Sequence, residues 1–256
     1  VRSPPAVAAL PRRDVAIITS CILGVTILAC TYLVHLSRQM SSPPMAAMGM
    51  TMGASWSAVD VFFTFVMWAV MMVGMMSASA APALLLFAEI QARHVRSGVP
   101  VAVLLFGLGY LTIWLVFSAA AALAQWGLHT TALLSPTMAT SSARLAGAIL
   151  IAAGVYQLTP VKRSCLRHCQ SPLGFLLSHW RDGARGALHM GLRHGIYCLG
   201  CCWALMCILF AVGSMNLVWV AVLTAFILLE KTGRAGGATR FGGIVMVALG
   251  IFVAAR

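Results

Sequence analysis

The sequence predicts an all-α, polytopic transmembrane bundle of about seven helices, and three observations predict it. Hydrophobic residues make up 61% of the 256 positions and charged residues only 9%, with a mean hydropathy of +0.95. A soluble domain carries roughly 25% charged residues. The apolar residues come in runs long enough to cross a bilayer core, which takes about 20 residues. The charge is one-sided, with 17 Lys and Arg against 5 Asp and Glu, and it falls between the apolar runs. In a soluble chain a net charge of +12 would suggest a nucleic-acid partner. Here membrane topology accounts for it: no nucleic acid is implied, and the partner is the lipid bilayer. The spans consume most of the chain, so residues 1–256 read as a single integral membrane domain.

The first span is expected at about 15–36, after Pro4, Pro5, Pro11 and Arg12-Arg13-Asp14. A basic start before an apolar run has the outline of a signal peptide. This run exceeds the ~7–15 residues of a signal core and no cleavage site follows it, so a membrane helix is expected. Residues 37–57 form a methionine-rich loop with Met40, Met45, Met48, Met50 and Met52. Such a loop either touches lipid or a partner, or captures Cu(I) through thioether sulfur.

The second span, 61–87, places Met67, Met71 and Met75 at i, i+4 and i+8, with Met72 and Met76 as a second i, i+4 pair. Methionine packs well in any core, and it is also a soft-metal ligand, so packing and a thioether path stand side by side. Pro82 cannot donate to the carbonyl of Ala78, which predicts a kink or break. The third span is expected at 99–124, and the fourth at 143–159, ending at Pro160. The segment 161–193 holds six Lys and Arg interleaved with Phe175-Leu176-Leu177 and Trp180, and reads as an amphipathic element on the membrane surface. The remaining spans are expected at 195–212, 217–229 and 242–254.

The positive-inside rule orients this threading. With the N-terminus cytoplasmic and seven alternating spans, 14 of the 17 Lys and Arg fall inside, leaving Arg38, Arg144 and Arg256 outside. The C-terminus is then extracytoplasmic and 161–193 cytoplasmic. The alanine-, arginine- and glycine-rich composition suits the inner (cytoplasmic) membrane of a bacterium.

The chemistry concentrates at the fifth span. His194, Cys198 and Cys201 lie at i, i+4 and i+7, with Cys202 and Met206 on the adjoining stripe. Cys165 and Cys169 come just after the fourth span, on the same predicted membrane face. Thiolate, imidazole and thioether are the side chains that soft ions select. A lone membrane cysteine is a small packing residue, but five cysteines and a histidine at one membrane edge point to a metal. The eight cysteines (21, 30, 165, 169, 198, 201, 202 and 207) do not form a secreted disulfide framework, because none lies in a long polar extracellular region.

Two blocks carry a family resemblance. One is Met67-Trp68-Ala69-Val70-Met71-Met72-Val73-Gly74-Met75-Met76 with Pro82 following. The other runs through Tyr156-Gln157-Leu158-Thr159-Pro160-Val161-Lys162, Cys165-Leu166-Arg167-His168-Cys169, Trp180-Arg181-Asp182-Gly183 and His194-Gly195-Ile196-Tyr197-Cys198-Leu199-Gly200-Cys201-Cys202-Trp203. Over residues 60–230 the chain resembles a family of predicted metal-binding integral membrane proteins, a domain of unknown function. That resemblance implies Cys165, Cys169, His194, Cys198, Cys201 and Cys202 as ligands, and says nothing of the loop 37–57.

Three functions follow. The first is handling of a soft metal, copper as Cu(I) before zinc, for trafficking or for loading a membrane metalloenzyme, with Met67, Met71 and Met75 as a thioether path. Its partners would be a larger membrane metalloenzyme complex or a copper carrier. The second is an accessory or structural subunit whose small residues pack against other chains. The third is a thiol–disulfide electron carrier using Cys198-x-x-Cys201; Cys21 and Cys30, nine residues apart, point in opposite directions and cannot pair. No nucleophile–base–acid constellation appears, and only Asp60 and Glu89 are read as carboxylates near spans, at opposite ends of one helix. No phosphate-binding glycine loop is present either.

Overall fold

The computed structural model describes residues 12–40, 56–94, 98–131, 140, 142–214, 216–232 and 236–256. Among the described residues there are nine helices: α1 (Arg12–Met40), α2 (Ala58–His94), α3 (Val99–Thr130), α4 (Ala143–Leu158), α5 (Pro160–Gln170), α6 (Pro172–His179), α7 (Gly183–Val212), α8 (Leu217–Lys231) and α9 (Gly236–Ala254). Five of them contain spans long and apolar enough to cross a membrane, and the α4–α5 pair, bent by 66°, brings the count to six where it is taken as one broken span. The sequence predicts seven. The difference is α8, whose 15 residues reach only ~22 Å, short of the ~30 Å hydrocarbon core. Met45, Met48, Met50 and Met52 of the methionine-rich loop lie outside the described residues.

Local chemistry sets the boundaries that matter for the site. Ser142 accepts a hydrogen bond from the Leu145 N–H and starts α4. Thr159, held extended at ψ 151° before Pro160, ends α4 and caps α5 by accepting from the Lys162 N–H. One residue therefore closes one helix and opens the next, and the bend follows. Gly213, at φ 94°, ends α7 in a conformation that side chains disfavour. Of the kink or break expected at Pro82, the break does not occur. α2 runs through it as one helix, with Ala80, Ala83 and Phe87 buried on either side, so packing outweighs the missing backbone bond.

The segment 161–193 is not one surface element. It comprises α5, α6 and the first turns of α7. Phe175 and Leu176 are buried against Phe87, Phe106, Ala187 and Met190, while Leu173 and Leu177 face outward. α7 begins twelve residues earlier than the predicted span because its buried stripe is continuous: Ala187, Met190, Gly191, His194, Cys198, Cys201 and Cys202 follow one helical period.

Small residues bring the helices close. A Cβ on Gly191 would collide with the Phe106 backbone of α3, and one on Gly109 with the Leu188 carbonyl of α7. α4 and α9 meet the same way, through Gly147 against Gly250 and Gly154 against Gly243. The main core joins Met67, Met71, Met72, Met75 and Met76 of α2 to Tyr110 and Trp114 of α3 and to Cys198, Cys201, Cys202 and Met206 of α7.

The reading of Asp60 and Glu89 as the only carboxylates near spans is corrected. Glu230, in the last turn of α8, is 2% exposed. Both its oxygens accept from Lys162 Nζ, at 2.9 and 2.7 Å, and Gln157 bonds to both partners. In the sequence this acid sits next to Lys231 at the end of an apolar run, where it looks like the start of a loop.

Candidate metal centre

α7 carries the centre, and α2, α3, α4, α5 and α8 contribute to its surroundings. Cys198, Cys201 and Cys202 are each at most 2% exposed. The thiols of Cys201 and Cys202 donate back to the Cys198 carbonyl, at 3.1 and 2.9 Å, which holds both sulfurs against the turn that carries Cys198. From α5, Cys169 Sγ stands 3.8 Å from Cys201 Sγ. Cys165, one turn earlier, packs its sulfur over Gly200, where a Cβ would come within 2.8 Å of it. The helix bend at Thr159-Pro160 is what turns α5 back onto α7. Tyr156 fastens the junction by donating from its hydroxyl to the Gly200 carbonyl.

Two residues outside the predicted set reach Cys198. Lys231 Nζ lies 3.1 Å from Cys198 Sγ and donates to Ser79 Oγ at 2.9 Å. The Tyr110 hydroxyl lies 3.1 Å from the same sulfur and 3.5 Å from the Met76 carbonyl. The sequence offered one usable signal for Lys231: a cation directly abutting an apolar run is costly unless it has a job or a partner. Tyr110 carried none, since a tyrosine in an apolar helix looks like packing.

His194 is 3% exposed, and its ring sits among Phe106, Tyr110 and Phe175, at centroid distances of 6.0, 5.8 and 5.2 Å. Its Nδ1 is buried without a hydrogen-bond partner among the described residues. A buried ring nitrogen left unpaired carries a desolvation cost, which makes it available to a ligand. Among the described residues, no three Cys, His, Asp or Glu side chains converge as a ready metal site. The thiols of α5 and α7 are thus brought into contact, while His194 stands one turn away along α7. All eight cysteines are free.

Met67, Met71 and Met75 are all buried, at 5%, 1% and 2% exposure, in the core that holds the three α7 cysteines. Met76 connects to the centre most directly, through its carbonyl and Tyr110. The predicted thioether stripe and the thiol cluster therefore share one interior.

These features define a multi-pass helical membrane protein with a cluster of free thiols buried where its helices meet. The family model PpoB2, described as copper chaperone, matches residues 65–253, and the chain belongs to that family. Membership implies copper handling. No curated protein and no solved structure matches the chain.

Proposed function

We propose that this protein carries Cu(I) within a bacterial inner membrane, holding it between the thiols of α5 and α7 and loading it into a membrane metalloenzyme. The observation that carries this reading is the 3.8 Å approach of Cys169 to Cys201 across two helices, beside Cys198 and Cys202. Two facing sulfurs suffice to hold Cu(I), a soft ion that thiolates select. Cys165, Cys198, Cys202 and the unpaired ring nitrogen of His194 supply further donors as α5 shifts against α7. Met67, Met71 and Met75 form the thioether approach through the membrane. Lys231 gives the centre the character of a carrier. Its ammonium already sits on Cys198, so bound copper and this cation compete for one sulfur, and release is easier than from an unopposed thiolate cage.

The direct test is titration of detergent-purified protein with Cu(I) against a chromophoric Cu(I) chelator, followed by transfer to a copper-free acceptor. Uptake of Cu(I) with little competition by zinc is expected. Failure to withdraw Cu(I) from a chelator of ordinary strength would refute the reading. A thiol–disulfide role is the second reading, favoured by the same Cys169–Cys201 contact. Mild oxidation followed by thiol trapping would then recover a cross-linked α5–α7 pair whether or not copper was bound.

The threading proposed with this function keeps the N-terminus cytoplasmic; α8, too short to cover the whole hydrocarbon core, still returns the chain from the end of α7 to the level of Cys198, which Lys231 reaches. The threading rests on the 14 of 17 basic residues that it places inside. Reporter fusions after residue 185 and after residue 137 should lie on opposite sides of the membrane. The same side for both would overturn the threading.

A further inference from the structure

A cavity of about 400 Å³ opens where the bent α4–α5 pair meets the start of α9. Three arginines line it: Arg163 and Arg167 of α5, one turn apart, and Arg240 of α9. Gln157, Gln170 and Thr239 supply its polar wall. Among the described residues, none of the three arginines has an acidic ion-pair partner. Among the described residues, the ion pairs are Arg93 with Glu89 and the buried Lys162 with Glu230. Glu230, the acid behind this wall, is already bound by Lys162 and Gln157, and its backbone carbonyl accepts from Gln170 Nε2 at 2.7 Å. Arg163 spends one N–H on the Leu158 carbonyl, at 3.3 Å. The three arginines are exposed, so water screens their mutual repulsion, and an anion filling the concavity would relieve what remains of it.

We propose that this cavity is a phosphate site. Guanidinium forks match the oxygens of a phosphate group with paired hydrogen bonds, and three of them around one cavity neutralise a mono- or dianion. The rim favours a phosphate attached to the bilayer. Leu158 and Ile244 line the cavity, and both are exposed apolar residues of membrane-crossing helices. Basic pockets of this kind between transmembrane helices hold anionic lipid headgroups. A free phosphate compound offers the same oxygens without the acyl chains.

The site bears on the metal centre through α5. Arg163 and Arg167 alternate with Cys165 and Cys169 along that helix, and two residues of separation turn the side chain by about 200°. The arginines therefore occupy one face and the thiols the other. An anion bridging Arg163, Arg167 and Arg240 would tie α5 to α9 and hold the thiol face against α7. The anion site itself does not depend on which metal, if any, the thiols carry.

The test uses the full-length protein in nanodiscs and detergent with three probes: phosphatidylglycerol, phosphatidylcholine and inorganic phosphate. The variant Arg167→Gln/Arg240→Gln is compared with Arg181→Gln/Arg185→Gln, which removes the same charge from exposed positions outside the cavity. Wild type should bind phosphatidylglycerol over phosphatidylcholine by at least tenfold. The cavity variant should lose that preference, while the control keeps it and both fold normally by circular dichroism. Competition by millimolar inorganic phosphate would support the site and make a free phosphate compound its source; absence of competition would assign it to the lipid. No preference in wild type for either phosphate probe, or an equal loss in the control, would overturn the proposal. Because copper uptake is read separately, failure here leaves the carrier reading untouched.

Discussion

Serine at both Cys198 and Cys201 is expected to abolish Cu(I) uptake while leaving the fold in place. The expectation combines two facts about the centre. Cys201 is the sulfur that meets Cys169 across α5 and α7, and Cys198 is the sulfur on which Lys231 and Tyr110 converge. Serine is close in size and can still donate to the Cys198 backbone carbonyl as the Cys201 thiol does, so packing and helix geometry survive. What disappears is the soft donor. Loss of an outer partner of a metal ligand already costs about 10–100-fold in affinity, so loss of two ligand sulfurs should cost at least the upper end of that range. The measurement is copper per protein after equilibration with a Cu(I) chelator, beside circular dichroism and size-exclusion profiles of the same samples. Wild-type copper content in a folded double variant would return these cysteines to the role of packing residues. Metal uptake also requires deprotonated sulfur, so wild-type affinity should fall as the pH is lowered, with proton release on binding.

Much of this centre was legible because helical periodicity is a strong signal. His194, Cys198 and Cys201 share a stripe in the sequence, and the structure buries that stripe. The methionines of α2 followed the same logic. The elements that escaped are those fixed by contacts between helices. The 66° bend that folds α5 onto α7 depends on Thr159 capping the next helix, and a Pro-terminated run reads as the end of a span rather than as an elbow. The apolar residues of α6 looked bound for the bilayer because periodicity cannot tell lipid from protein as the apolar partner. Phe175 in fact lies under Phe87, Met190 and the ring of His194. Lys231 and Glu230 were hardest to place. Adjacent charges at the end of a short apolar run look like a loop, yet one joins the thiol centre and the other a buried ion pair.

That ion pair is the site of the second large effect. Lys162→Met should destabilise the protein by about 3–5 kcal/mol, because it leaves Glu230 buried without its cation. Lys162 is wholly buried, and Glu230 accepts from it through both oxygens. Gln157, which bonds to both groups, cannot replace a positive charge. Removing both charges is a different case. Replacing a buried pair by apolar residues of similar volume is often neutral or stabilising, so Lys162→Met/Glu230→Met should recover most of the lost stability. Thermal unfolding of the two variants in detergent measures the difference. Equal destabilisation in the single and double variants would mean that the pair matters for its specific hydrogen bonds rather than for charge balance. The consequence reaches the metal centre, since Lys162 lies in the first turn of α5 and Glu230 is the neighbour of Lys231. An uncompensated Glu230 should loosen both the helix that brings Cys169 to Cys201 and the residue that brings an ammonium to Cys198. The single variant is therefore expected to weaken copper binding along with stability, and the double variant to restore both.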